Sequence, residues 1–171
     1  MRRLFPMAIV ALLAGAEAGH AAAAQTGPVL VGTYRDWFVY TNGTGANKVC
    51  YALSQPKQSN PRNANRDPIF FLISTFPAQK KNAQPSIVPG YPFKEDAKAE
   101  VQIGSDKFAF FTDGTTGWAE KEEDEPRMLN AMKRGQTMTV IGTSARGTLT
   151  RDNYSLAGIT AALDSVADAC K

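Results

Sequence analysis

Residues 68–76 read Pro68-Ile69-Phe70-Phe71-Leu72-Ile73-Ser74-Thr75-Phe76, an unbroken apolar run that Pro77 stops. A continuous hydrophobic stretch of this length fits a central strand covered on both faces. Just upstream, residues 56–67 (PKQSNPRNANRD) hold two prolines and no large apolar side chain, and read as a solvated, mobile loop. Before that loop, Lys48 to Gln55 alternates, with Val49, Tyr51 and Leu53 on one side and Cys50, Ala52 and Ser54 on the other. Asp36-Trp37-Phe38-Val39-Tyr40 is a further aromatic and β-branched strand that ends in the turn-rich Thr41-Asn42-Gly43-Thr44-Gly45.

Downstream the same grammar continues. Pro85 to Pro92 is extended. Glu100 to Gly104 alternates, and Gly104-Ser105-Asp106 joins it as a hairpin to Lys107-Phe108-Ala109-Phe110-Phe111-Thr112. Trp118 opens another short strand, and residues 137–142 and 148–156 supply two more. Two helices interrupt the pattern. One lies near 125–134, with Asp124 as N-cap, Pro126 in its first turn, Met128, Leu129 and Met132 on one face, and Gly135 at its end. The other lies near 158–169, where Ile159, Leu163 and Val166 fall at helical spacing and Cys170 continues the stripe. Many short strands with frequent turns and few helices predict a mainly β chain: a single-domain β-sandwich, immunoglobulin-like, with those two helices added.

The N-terminus sets the compartment. Met1-Arg2-Arg3 is positive, Leu4 to about Ala14 is apolar, and Ala22-Ala23-Ala24 offers a small-residue cleavage pattern before Gln25. The apolar run is too short to cross about 30 Å of hydrocarbon, so residues 1–24 read as a secretory signal. The domain then occupies 25–171, and no later run is long enough to span a bilayer. Cleavage also removes His20, the only histidine in the chain. It leaves 17 basic and 15 acidic side chains, a balance too mild for a nucleic-acid partner.

Two cysteines remain, Cys50 and Cys170. In an oxidising compartment a lone pair is most simply one disulfide, here clamping the terminal helix to an early strand.

No catalytic constellation emerges. Without histidine, Ser-His-Asp and Cys-His arrangements are impossible, and there is no P-loop, dinucleotide fingerprint or EF-hand loop. No cofactor or metal site is expected. The run Glu120-Lys121-Glu122-Glu123-Asp124-Glu125 lacks the alternate spacing of a calcium loop and reads as a solvated segment placing negative charge at a helix N-terminus. Arg146 and Arg151 read as guards of a strand edge, with a small anion patch as the alternative. Trp37 and Trp118 read as core aromatics, with an interface role as the alternative.

The landmarks taken in order resemble the invasion-associated locus B family of bacterial envelope proteins. They are Tyr34-Arg35-Asp36-Trp37-Phe38-Val39, Cys50-Tyr51-Ala52-Leu53-Ser54-Gln55, Pro89-Gly90-Tyr91-Pro92-Phe93 and Tyr154-Ser155-Leu156-Ala157-Gly158-Ile159-Thr160-Ala161-Ala162. The resemblance implies a β-sandwich exported to the periplasm or outer membrane, associated by name with entry into host cells, and it brings no catalytic residues. Family members often carry a cysteine soon after the tryptophan strand and a close pair near the middle. Phe38-Val39-Tyr40-Thr41 and residues 112–118 lack them here, so the disulfide framework must differ from the family's, with Cys50 pairing with Cys170.

The expected function is therefore that of an exported, non-enzymatic envelope protein that binds a protein or envelope component through exposed loops. Residues 56–67, with Arg62 and Arg66, and residues 113–125 are the candidate binding loops. The alternatives are a periplasmic accessory or chaperone-like protein using an apolar groove or free strand edge, and a carboxylate-dependent glycan hydrolase.

Overall fold

The computed structural model describes residues 27–62 and 64–171. The expected signal segment and its cleavage site before Gln25 lie outside the described residues. The chain forms β1 (Val29–Tyr34), β2 (Trp37–Asn42), β3 (Val49–Ser54), β4 (Gln58–Asn60), β5 (Phe70–Phe76), β6 (Lys81–Val88), β7 (Ala99–Ile103), β8 (Asp106–Asp113), β9 (Thr116–Ala119), α1 (Asp124–Arg134), β10 (Thr137–Thr143), β11 (Leu149–Ser155) and α2 (Ile159–Ala169). The β-rich, single-domain reading and both helices are as expected.

Hydrogen bonding links the strands in the order β1-β2-β3-β5-β6-β9-β8-β7-β10-β11-β4. Every pairing is antiparallel. The strands thus share one ladder, and the sandwich arises because that ladder folds over on itself. β2 and β11 stand far apart in the order, yet the Trp37 indole N–H donates to the Ser155 carbonyl at 3.1 Å. Phe71 from β5 meets Trp37 and Tyr154 edge-on, with ring centroids 6.4 and 6.0 Å apart. These three rings, all essentially buried, join the two halves of the sheet into one core.

Both helices direct their apolar faces into that core: Met128, Ala131 and Met132 from α1, and Ile159, Ala162, Leu163 and Val166 from α2. Asp124 is the first helical residue of α1 rather than its cap, which falls at Glu123. α2 begins after Gly158, whose φ of 94° is open to glycine at little cost. A Cβ there would also collide with the Tyr34 carbonyl, so the turn can sit directly on the end of β1. At the other end of α2, Cys170 is bonded to Cys50 of β3 with 5.9 Å between Cα atoms.

Two expectations need correction. The run at 68–76 is a strand in the middle of the ladder, but it is buried on one face only. Phe71, Ile73 and Thr75 point into the core, while Phe70, Leu72, Ser74 and Phe76 are half-buried on the outside. An antiparallel sheet buries one face against its core and leaves the other only partly covered. Residues 56–67 are also not simply a solvated loop. Gln58–Asn60 pairs with β11, and Lys57 N–H donates to the Asn153 carbonyl at 2.7 Å.

Candidate functional site

The two candidate loops lead to different kinds of structure. In the first, Arg62 is exposed and lines a recess of about 540 Å³ with Pro56, Ser59, Pro61 and Ile69. Arg66 is drawn inward instead. Its guanidinium forms a two-pronged pair with Asp152, and the side chains are only 5% and 2% exposed. It also donates from Nε and Nη2 to the Pro89 carbonyl, at 2.8 and 2.6 Å, and lies 4.9 Å from the centre of the Tyr91 ring. Strand alternation on β11 turns Thr150, Asp152 and Tyr154 inward, which puts the carboxylate where Arg66 arrives. Thr150 Oγ1 and the Tyr91 hydroxyl share a hydrogen bond at 2.6 Å. Burial raises the Tyr91 phenol above its ordinary range, and raises Tyr154 further. The Tyr154 hydroxyl has no hydrogen-bond partner among the described residues.

Gly90 completes this arrangement. Its φ of 74° and its approach to the Asp67 backbone leave no room for a Cβ, and Asp67 N–H donates to the Gly90 carbonyl at 2.9 Å. The loop is thereby fastened to the 89–93 segment. Arg66 serves as an internal fastener, and only Arg62 of the two arginines is presented to solvent. Arg146 is exposed and lines a smaller recess of about 390 Å³ with Arg66, Tyr91 and Ser144.

The second candidate, 113–125, is not a loop throughout: it holds the end of β8, all of β9 and the start of α1, and it borders the outer face of the sheet. Register carries one row across six strands: Phe38 faces Leu53, Leu53 faces Leu72, Leu72 faces Ser86, Ser86 faces Trp118, and Trp118 faces Phe111. All but Phe111 are half-buried, and Phe111 is 46% exposed. A neighbouring row runs from Leu30 through the stacked pair Tyr40 and Tyr51, ring centroids 5.7 Å apart.

The first row ends in a groove of about 530 Å³. Its floor is the Phe111–Trp118 stack, with centroids 5.4 Å apart and planes 27° from parallel. Its rim holds Gln84, Glu120, Glu122, Glu125 and Lys81. Glu120 is paired with Lys98 at 2.6 Å. Glu125 has its carboxyl raised above the usual range, chiefly by burial and then by neighbouring Glu122, against a smaller opposing effect of Lys81. Trp118 therefore takes the alternative of its two expected places, on this surface and half-buried, whereas Trp37 takes the core and is fully buried.

The sheet's two edges differ as well. β4 is short and polar and lies between Pro56 and Pro61, while β1 begins with Val29, Leu30 and Val31, exposed at 42%, 52% and 45%. Among the described residues, no three His, Cys, Asp or Glu side chains gather as a metal-ligand set, and no helix is long and apolar enough to cross a membrane.

The family model for invasion associated locus B (IalB) protein matches residues 37–167, from the first residue of β2 into α2. The chain belongs to the IalB family. A solved structure, that of invasion associated protein B from Bartonella henselae, has a similar fold with a TM-score of 0.52. The likeness covers 82% of this chain and 97% of that one, at 12% sequence identity. No curated protein matches the chain. The matched IalB region contains both candidate loops and Cys50 but ends before Cys170, so the bridge fastens the matched region to a residue beyond it.

Proposed function

We propose that this IalB-family protein is an exported, non-enzymatic component of the cell envelope that binds a protein or surface partner through the outer face of its sheet. The observation that carries this reading is the in-register row Phe38, Leu53 and Leu72, interrupted by Ser86, that ends at the Phe111–Trp118 stack, where Phe111 is exposed. A row of large apolar side chains left outside a well-filled core is what an interaction surface requires. The family and the Bartonella henselae protein are both named for invasion, which supports host association as the setting. The disulfide supports an oxidising, exported location.

The test uses the purified chain and its Phe111→Ser and Arg62→Ala variants, offered to cultured host cells and, separately, to outer-membrane fractions of the producing bacterium. Capture that falls with Phe111→Ser while the melting temperature holds supports the outer face. Capture that falls only with Arg62→Ala moves the site to the first loop, and no capture by either material overturns the reading. A second reading, an accessory protein holding a strand of another envelope component, is favoured by the apolar β1 edge. Leu30→Lys would then abolish capture from the outer-membrane fraction and leave Phe111→Ser binding intact.

A further inference from the structure

A partner seated on the outer face must present some particular chemistry to the groove. We infer that the groove over Phe111 and Trp118 receives a cationic side chain, a lysine or arginine on an extended basic segment of the partner. This inference rests on the outer-face reading above and adds the partner's charge to it.

Three observations converge. The first is the floor: two stacked aromatic rings, one nearly half exposed, offer π faces of the kind that attract ammonium and guanidinium groups. The second is how the protein treats two buried rings elsewhere. Arg127 lies 4.2 Å from the centre of Phe108, and Arg66 lies 4.9 Å from that of Tyr91. Among the described residues no such cation lies over Phe111 or Trp118. The third is the rim. Three carboxylates face one lysine in a chain whose overall formal charge is positive. Lys98 engages Glu120, and Lys81 offsets one of the two remaining glutamates, leaving the rim one net negative charge and a repulsion between Glu122 and Glu125 that an incoming cation relieves. An anionic segment would meet that repulsion. A neutral one would cover the rings and leave the charge excess uncompensated.

The groove carries its own reporter. Trp37 is fully buried, so a ligand-dependent change in tryptophan emission comes from Trp118. The full folded protein is titrated with a short arginine-rich peptide, with length-matched glutamate-rich and glycine-serine peptides and a neutral oligosaccharide as comparisons. The expected result is a saturable emission change with the arginine peptide alone, weakened by added salt. Glu122→Gln with Glu125→Gln should weaken it about tenfold or more, which corresponds to about 1.4 kcal/mol. Trp118→Phe should remove the signal.

No saturable response to the arginine peptide overturns the inference. So does an equal response to the neutral peptide or the oligosaccharide, or unchanged affinity in the double glutamine variant. The two readings fail separately: cell capture that depends on Phe111 without any arginine-peptide response keeps the outer face and removes the cationic partner.

Discussion

Arg66 and Asp152, 86 residues apart in sequence, meet as a two-pronged ion pair with N–O distances of 2.8 and 2.6 Å. The contact ties the end of the 56–67 loop to β11. Buried pairs of this kind are costly to desolvate, so their contribution appears mainly when one partner is taken away. Arg66→Ala or Asp152→Ala should lower unfolding free energy by about 3–5 kcal/mol. Arg66→Met with Asp152→Leu should recover much of that loss. Urea unfolding of the three variants checks both points; single variants within about 1 kcal/mol of wild type would contradict the fastening role.

The bridge between Cys50 and Cys170 closes a sequence separation of 120 residues. Chain-entropy arguments put such a closure at about 4.7 kcal/mol as an upper figure. Cys50→Ser with Cys170→Ser should therefore lower the urea midpoint strongly. Intact mass before and after reduction of the wild type should differ by two hydrogen atoms, with no alkylatable thiol in the unreduced protein.

Tyr154 holds a hydroxyl in the core without a hydrogen-bond partner among the described residues. Such a group costs about 1–3 kcal/mol of desolvation. Tyr154→Phe keeps the ring against Phe71 and removes the oxygen. The variant should be at least as stable as wild type by thermal unfolding; a clear loss would mean that the oxygen has a partner.

Glu125 has a carboxyl raised by burial first and by Glu122 second. The folded state thus binds this proton more tightly than the unfolded state does. The proton's stabilising contribution is complete below the unfolded value near 4.5 and is lost as pH rises through the higher folded value. Glu125→Gln should match wild type in acid and become relatively more stable as pH rises past that point. Parallel urea titrations across the range measure the difference; a constant offset would contradict it.

Much of the architecture was legible in the residues. The alternation from Val49 to Ser54 separated the two sides of β3, because pleating has a strict period of two, but that the smaller side, Cys50, Ala52 and Ser54, is the buried one was settled only by the packing. Gly135 and the Met128–Met132 face marked α1 for similarly local reasons. β1 left no such mark. Val29-Leu30-Val31-Gly32 has no alternation, and its register shifts between Leu30 and Gly32. The partner of Arg66 was beyond reach, since nothing near Arg66 points to Asp152.

The outer surface was half visible. Phe110 and Phe111 are consecutive, so within a strand one of them must face away from the core. That observation could have singled out an exposed aromatic. That it would stack on Trp118 depended on a pairing between β8 and β9 that only the folded sheet reveals.

The position of α2 against β1, β2 and β3 carries a consequence for the order of events in the cell. The first strands find their cover in the eleven-residue helix α2, and Cys50 finds its partner 120 residues further along the chain. A chain still emerging from the ribosome, or threading through a translocation pore, has made its opening strands long before that cover exists. Under the proposed export, β1, β2 and β3 would make their passage without α2 and with Cys50 unbridged. The bridge would then close once both cysteines reach a compartment where thiols oxidise.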